Sequence, residues 1–177
     1  MTQPAANGLD LALVAEACKK SGMIWVQVPG SRPRAAWHVW HAGPHGEAAY
    51  VVTGDGEQEL PGIESADQVL VTVRSKDKGG RLVTWLATST RVEPGSPEWD
   101  AVVPALVGNR LNARDGDAAA ERWAATARVT RLRPTGQVPE KPGQLPTDPL
   151  AAPPPSSPAT TRTPMPFVFG RRAVRRH

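Results

Sequence analysis

Near the start of the chain, apolar residues recur with the spacing of a helix. From Leu11 to Cys18 they fall at i, i+3, i+4 and i+7, which predicts one amphipathic helix. Asp10 can cap its start, and Gly22 can adopt the left-handed conformation that ends a helix. Cys18 lies on the apolar stripe, so we interpret it as a small core residue rather than a reactive thiol.

The pattern then changes to short segments rich in β-branched and aromatic residues, each ended by turn formers. Loops of hairpin length join most of these segments, which predicts an antiparallel meander that closes into a barrel. The fold class is therefore mainly β with flanking helices. About six strands are predicted, over Met23–Val28, Ala35–His41, Ala48–Thr53, Val69–Val73, Leu82–Val92 and Thr126–Leu132.

A second helix is predicted before the last strand. The run Ser96–Glu98 supplies an N-cap, a first-turn proline and a first-turn acid, and apolar residues continue the pattern to about Arg110. A proline inside a helix removes a hydrogen bond and clashes with the preceding turn, so Pro104 is expected to kink or split this helix. A short turn over Ala118–Trp123 is expected to follow.

The charge divides the chain in two. The net charge is +4 over 177 residues, yet residues 1–133 hold 15 basic and 15 acidic side chains, whereas residues 134–177 hold six basic and two acidic ones. Eleven of the 19 prolines also lie at or beyond Pro134. We therefore predict a flexible N-terminus over 1–8, one domain over 9–134 and a Pro-rich, basic-ended disordered tail over 135–177.

This division of charge limits the classes of binding partner. Because the body of the chain is neutral, it is not a globally basic nucleic-acid-binding domain. The basic end of the tail, which includes Arg171 and Arg172, would attract an acidic partner only weakly, and a solvated tail is the alternative.

Apolar runs are far shorter than a membrane span needs, and the start is too polar for a signal peptide. The single cysteine excludes a disulfide framework. A cytoplasmic location is expected.

Three histidines and one turn are candidates for chemistry. His38 and His41 fall on opposite faces of a predicted strand, and with His45 they are not expected to bind a metal. The turn Arg74–Arg81 combines four cations, a serine and two glycines between two strands. Such a turn can hold a phosphate through its cations and backbone N–H groups, or it can be a solvated hairpin.

Tryptophan is unusually frequent, with six Trp beside one Tyr and two Phe. Trp25, Trp37, Trp40 and Trp85 all fall within predicted strands. They can fill the core, or they can flank a planar ligand or a dimer interface, because Trp buries a large area and keeps one polar N–H.

The order of elements, together with matching segments over roughly residues 9–134, resembles the split β-barrel of the pyridoxamine 5′-phosphate oxidase-like, flavin-binding superfamily. Most matched positions are strand hydrophobics. The segments that carry the resemblance are Arg34–His41, Tyr50–Gly54, Leu60–Ile63, Ala66–Val73, Gly80–Ala87 and Val129–Pro134.

The resemblance implies a homodimer with two cofactor sites at the subunit interface. It implies FMN or a 5-deazaflavin coenzyme as cofactor. The Ala- and Arg-rich composition is similar to that of actinobacterial proteins, many of which use the deazaflavin, so this coenzyme remains an alternative to FMN. In such proteins basic residues on the central strands hold the phosphate of the cofactor, and its ring lies against the strand backbone. By this resemblance the cofactor-binding residues are Arg34, Trp37, Thr53, Arg74, Ser75, Lys76 and Arg81.

One stretch departs from the family pattern. Relatives commonly have a Ser-x-Lys after the third strand, whereas here Asp55, Glu57 and Glu59 would repel a phosphate. Either the Arg74–Arg81 turn holds the phosphate, or the ligand has changed, or no cofactor binds. The two functional hypotheses are a flavin- or deazaflavin-binding protein with oxidoreductase activity on a small organic substrate, and a non-catalytic split-barrel dimer that acts through its tail. No catalytic residue is assigned, because the cofactor would perform the hydride transfer.

Overall fold

The computed structural model describes residues 8–54, 56–77, 79–110 and 118–147. The predictions of a flexible N-terminus and of a disordered end fall mostly on residues outside these ranges. Three helices and seven strands are formed: α1 Gly8–Lys20, β1 Met23–Gln27, β2 Arg34–Trp37, β3 Val39–Gly43, β4 Gly46–Gly54, β5 Gln68–Arg74, β6 Arg81–Val92, α2 Pro97–Asn109, α3 Ala119–Thr126 and β7 Ala127–Pro134.

All seven strands form one antiparallel sheet in the order β2-β1-β5-β6-β7-β4-β3. The two strands at the ends of this order, β2 and β3, are consecutive in sequence and are separated only by His38. The sheet must therefore curl until its two ends meet at one stretch of chain. This arrangement confirms the predicted fold class, a mainly β split barrel with flanking helices.

Strand β4 separates two hydrophobic cores. Every residue from Ala48 to Thr53 is buried. Because side chains alternate between the faces of a strand, Ala49 and Val51 join one core together with α1, and Tyr50 and Val52 join the other together with α2 and α3. A strand covered on both faces has a continuous apolar run, which is why Ala48–Thr53 is so easily recognised.

The predicted strand Ala35–His41 is wrong in one respect, because the structure divides it at His38 into β2 and β3. At this corner the side-chain amide of Gln58 accepts a hydrogen bond from the backbone N–H of Trp37 at 2.7 Å and donates one to its carbonyl at 2.9 Å. The amide thus satisfies both backbone groups of Trp37 where the chain leaves one partner strand for another.

The second helix begins as predicted, since the Ser96 side chain accepts a hydrogen bond from the Trp99 N–H at 3.1 Å and Pro97 is its first residue. The expectation that Pro104 splits it is wrong, because a single helix spans Pro97–Asn109. Buried residues on both sides of the proline, including Val102 and Leu106, hold the two halves against the same core. The predicted short turn is a two-turn helix, α3, with Ala119 and Trp123 buried.

The chain stays attached to the sheet beyond Pro134, within the segment assigned to the tail. The Leu86 N–H donates to the Gln137 carbonyl at 2.9 Å, and the Thr84 N–H donates to the Glu140 carbonyl at 2.8 Å. Lys141 then forms an ion pair with Asp10 of α1 at 2.8 Å. The first compact unit of the chain extends to Pro146. A second ion pair joins Glu140 to Arg81, and Val138 packs against the first core. Composition gave no sign of this, because the attachment uses mainly backbone groups and two ion pairs.

In the part of the chain that the structure describes, no helix has both the length and the apolar character needed to cross a membrane.

Candidate functional site

Both arginines of the Arg74–Arg81 turn have partners within the protein. The Arg74 Nε donates to the Gly79 carbonyl at 2.7 Å, and its guanidinium lies 5.3 Å from the ring centroid of Trp25. Arg81 forms an ion pair with Glu140 at 2.9 Å. Lys76 is exposed, and the turn is closed by a hydrogen bond from the Ser75 N–H to the Gly80 carbonyl. A phosphate-binding role for this turn stays a prediction.

Two other predicted site residues, Trp37 and Thr53, contact the same residue, Gln58. The Gln58 side chain binds the backbone of Trp37, and its backbone forms an isolated β-bridge with Thr53. Thr53 is buried near the end of β4, where it lines a cavity of about 560 Å³. Arg34 lies apart from this pair along its strand, because it is exposed at the opposite end of β2 from Trp37.

This cavity lies between the end of β4, the start of β7 and the loop after Gln58. Glycines at positions 54 and 62 have φ values of +115° and +83°, which side-chain-bearing residues rarely adopt. A Cβ at Gly54 would also lie 3.1 Å from the Thr126 carbonyl oxygen, so the two strands can approach only with glycine there. The lining residues are Thr53, Gly54, Glu59, Leu60, Pro61, Gly62, Glu64, Thr126, Ala127 and Arg128.

The acidic stretch after β4 does not present Glu57 to solvent. The Glu57 side chain is 0% exposed and forms ion pairs with Arg110 at 2.8 Å and Arg122 at 3.1 Å. It also accepts a hydrogen bond from the indole N–H of Trp123 at 2.9 Å. Two guanidinium groups therefore compensate the charge of this carboxylate, whereas Glu59 of the same stretch is exposed. Repulsion of a phosphate by the acidic stretch stays a prediction.

This Glu57 cluster extends to the aromatic residues beside it. The Arg110 guanidinium lies 5.7 Å from the ring centroid of Trp37, whose ring is 6.2 Å from that of Trp123 at an angle of 37°. Sequence reasoning missed this cluster because Arg110, Arg122 and Trp123 are 53 to 66 positions from Glu57. No periodic pattern relates residues at such separations.

A second buried charge network joins α2 to the sheet. The Tyr50 hydroxyl donates to Glu98 at 2.8 Å, and Arg131 donates to both oxygens of the same carboxylate at 2.8 and 2.9 Å. Burial, reinforced by the Glu98 carboxylate, raises the pKa of Tyr50. The tyrosine is therefore a hydrogen-bond donor here and not a base, which makes this network structural.

Cys18 and His38 lie together in the first core. The thiol is buried, and burial raises the pKa of Cys18 to about 12, which confirms it as a core residue. His38 Nε2 lies 3.2 Å from the Cys18 carbonyl oxygen. Burial lowers the pKa of His38 to about 4, outweighing the opposing effect of that carbonyl. His38 is therefore neutral at pH 7.

The other histidines lie elsewhere. His41 is half-buried on β3, and the His45 side chain is 57% exposed, with Nε2 3.9 Å from Glu98. Over residues 8–54, 56–77, 79–110 and 118–147, no three His, Cys, Asp or Glu side chains form a group able to hold a metal ion.

The low pKa of His38 predicts an acid-sensitive fold. Because folding lowers this pKa from about 6.5 to about 4, the unfolded chain binds the proton more readily, and stability falls as the pH drops through that interval. We expect the free energy of unfolding to be about 2 kcal/mol lower at pH 5 than at pH 7. Urea titrations of the wild type, His38→Gln and His41→Gln test this. The first variant should lose most of the decrease and the second should keep it, and an unchanged decrease in His38→Gln would contradict the assignment.

No protein-family model matches the sequence, and no curated protein matches it. Solved structures are similar in fold. HutZ, a heme storage protein from Vibrio cholerae, is 17% identical, with a TM-score of 0.49 over 71% of this chain and 89% of that one. A pyridoxamine 5′-phosphate oxidase candidate from Listeria innocua is 16% identical, with a TM-score of 0.48 over 73% of this chain and 95% of that one. A protein of unknown function from Agrobacterium tumefaciens is 20% identical, with a TM-score of 0.49 over 84% of this chain and 64% of that one.

These similarities concern the fold. The class that the sheet order and the two cores define is the split β-barrel, in agreement with the resemblance found in the sequence.

Proposed function

We propose that this split barrel binds a flavin-type cofactor, FMN or a 5-deazaflavin coenzyme, and acts as a homodimeric oxidoreductase on a small organic substrate. The observation that supports this best is the cavity of about 560 Å³ beside Thr53. Its size lies within the range of small-molecule sites, roughly 300–1,000 Å³. Thr53 is also one of the residues that the family resemblance places near the cofactor.

The residues around this cavity fit such a group. The Thr53 hydroxyl and the Arg128 guanidinium are donors suited to the carbonyl oxygens of a flavin ring, whereas the Thr126 hydroxyl already donates to the Arg122 carbonyl. The Trp37–Trp123 pair is joined to the residues of this cavity through Gln58, which bonds to the backbone of Trp37 and pairs with Thr53. When bound, the cofactor would supply hydride transfer, and the chain would supply orientation and the exclusion of water.

For the phosphate, Arg74, Ser75, Lys76 and Arg81 remain the proposed contacts, with Arg34 at the opposite end of β2 from Trp37. Lys76 is exposed, which leaves its ammonium accessible to an anion. Glu57 does not oppose an anion, since its charge is compensated by Arg110 and Arg122. The other hypothesis, interaction through the tail, depends on residues outside the described part of the chain, and no observation favours it.

The first test is spectroscopic. Protein purified from a native-like host should absorb in the visible or near-ultraviolet range of a flavin or deazaflavin. The cofactor-free protein should gain thermal stability when FMN or the deazaflavin is added, because a ligand that binds only the folded state stabilises it. A colourless protein whose melting temperature responds to neither would contradict the proposal. Sedimentation of the loaded protein tests the dimer.

Variants then locate the phosphate. Arg74→Ala combined with Lys76→Ala should weaken FMN binding about tenfold or more, because charge-assisted contacts are lost, and should leave riboflavin binding unchanged. Thr53→Val should weaken both ligands. Lys20→Ala combined with Arg133→Ala removes the same charge elsewhere and should change neither. Equal FMN affinity in the Arg74/Lys76 variant and the wild type would show that the turn does not hold the phosphate.

A further inference from the structure

A second, smaller cavity opens beside the first, at the same end of the barrel. Its volume is about 120 Å³. A water molecule occupies about 30 Å³ of liquid, so the cavity has room for about four waters and is far too small for a flavin ring. Strands β6 and β7 form one wall with Ser89, Arg91, Arg128 and Thr130, and the loop Ile63–Asp67 forms the other.

The wall of this cavity contains a buried hydroxyl with no partner. Thr130 is 2% exposed, and its Oγ1 has no hydrogen-bond partner among the described residues. By contrast, the neighbouring Ser89 hydroxyl donates to the Ile63 carbonyl at 3.4 Å. Buried polar groups in folded proteins are hydrogen-bonded as a rule, and an unpaired one reduces stability. An unpaired hydroxyl in the wall of a cavity is a hydrogen-bonding group that water or a small ligand in the cavity would satisfy.

A cation lies on the same face of the same strand. Arg128 and Thr130 are two positions apart on β7, so their side chains point to the same side of the sheet. The Arg128 guanidinium has no ion pair or hydrogen bond within the ranges that the structure describes. Arg91, the second cation of the cavity, is 3.3 Å from Glu93. A guanidinium and a hydroxyl that converge in this way are suited to an oxyanion.

The opposite wall limits the charge of that ligand. Glu64 and Asp67 of the loop are exposed and also line the cavity. Their carboxylates would repel a dianion more strongly than a monoanion. The charges and the small volume together favour a small group with a single negative charge.

We propose that this cavity binds a small monocarboxylate, with the Arg128 guanidinium and the Thr130 hydroxyl donating hydrogen bonds to its oxygens. The carboxylate site shares Arg128 with the space proposed for the cofactor, but its test is independent of the cofactor proposal, because acetate binding to the cofactor-free chain needs neither a flavin nor a second subunit. Arg128 also lines the larger cavity, so a carboxylate held here would lie at the edge of the space proposed for the cofactor.

The test is a titration of the cofactor-free full chain with acetate and with inorganic phosphate, followed by amide NMR shifts. Acetate should produce saturable shifts on β6, β7 and the loop Ile63–Asp67, at concentrations at least threefold lower than phosphate. Arg128→Gln should weaken acetate binding about tenfold or more, whereas Arg133→Gln, which changes an exposed arginine of the same strand, should leave it unchanged.

Thr130→Val provides the second measurement, because it keeps the shape of the side chain and removes only the hydroxyl. This variant should weaken acetate binding and, without ligand, should melt about 2–4 °C higher than the wild type, since the unpaired group is gone. Absence of saturable acetate binding to the wild type, tighter binding of phosphate, or wild-type acetate affinity in Thr130→Val would each overturn the proposal. None of these outcomes bears on the flavin experiment.

Discussion

Replacing Glu57 with alanine is expected to lower the free energy of unfolding by about 3–5 kcal/mol, because it removes a buried carboxylate that accepts hydrogen bonds from two guanidinium groups and an indole. The side chain is 0% exposed, and Arg110 and Arg122 are largely covered as well. The indole N–H of Trp123 would lose its acceptor in the same step. Since small domains are stable by only about 5–15 kcal/mol, the variant should lose a large share of its stability.

The control for this prediction lies two residues further along the same loop. Glu59 is exposed, and Glu59→Ala should change the free energy of unfolding by less than about 0.5 kcal/mol. Glu57→Gln should be intermediate, because an amide still accepts a hydrogen bond from Trp123 but carries no charge. Urea unfolding followed by circular dichroism measures all three. If Glu57→Ala were as stable as Glu59→Ala, the cluster would contribute nothing to the fold.

Glu98→Ala is expected to lower the free energy of unfolding by about 3 kcal/mol, because it too removes a buried carboxylate that accepts hydrogen bonds. Its carboxylate accepts the hydrogen bonds of Tyr50 and Arg131, and both partners are nearly covered by the protein. The Arg131 Nε is already buried without a partner among the described residues, so this arginine depends heavily on Glu98. The network also depends on glycine at position 43, since a Cβ there would lie 2.6 Å from the Tyr50 hydroxyl.

A double-mutant cycle distinguishes charge from packing in this network. Replacing both charged partners with apolar side chains, as Glu98→Leu with Arg131→Met, should be less destabilising than either single change, because no buried charge is left alone. Asp100→Asn removes an exposed acid from the same first turn of α2 and should have little effect. Additive losses in the cycle would show that Glu98 and Arg131 act independently.

The two networks explain why the fold was more predictable than the candidate site. Strand β4 has an apolar residue at almost every position, and α2 begins with a serine cap and a proline, so both could be recognised from neighbouring residues alone. The break at His38 could not be recognised in this way. It occurs where the chain stops pairing with β1 and begins to pair with β4, and neighbouring residues do not show that point. The amide that satisfies this corner belongs to Gln58, 21 positions away.

In the candidate site, too, some features could be recognised from the sequence and others depend on residues far apart in the chain. Thr53 and Trp37 were named as site residues because the segments around them resemble a known family of barrels, and that role stays a prediction. The Glu57 cluster, and the pairing of Arg128 with the unpartnered hydroxyl of Thr130, were not recognisable in the same way. An acidic residue in a loop has the same appearance in a sequence whether it faces water or two arginines.

By itself, the sequence determined the local elements, the neutral charge of the body and the burial of residues such as Cys18, because these follow from periodicity, turn chemistry and composition over a few residues. Only the tertiary structure decided which charges compensate each other and which polar groups are left without a partner. It also showed that the residues after Pro134 continue along β6. The physical reason is that an ion pair or a cavity depends on the distance between groups in space, and the curled sheet brings together residues that are far apart in the chain.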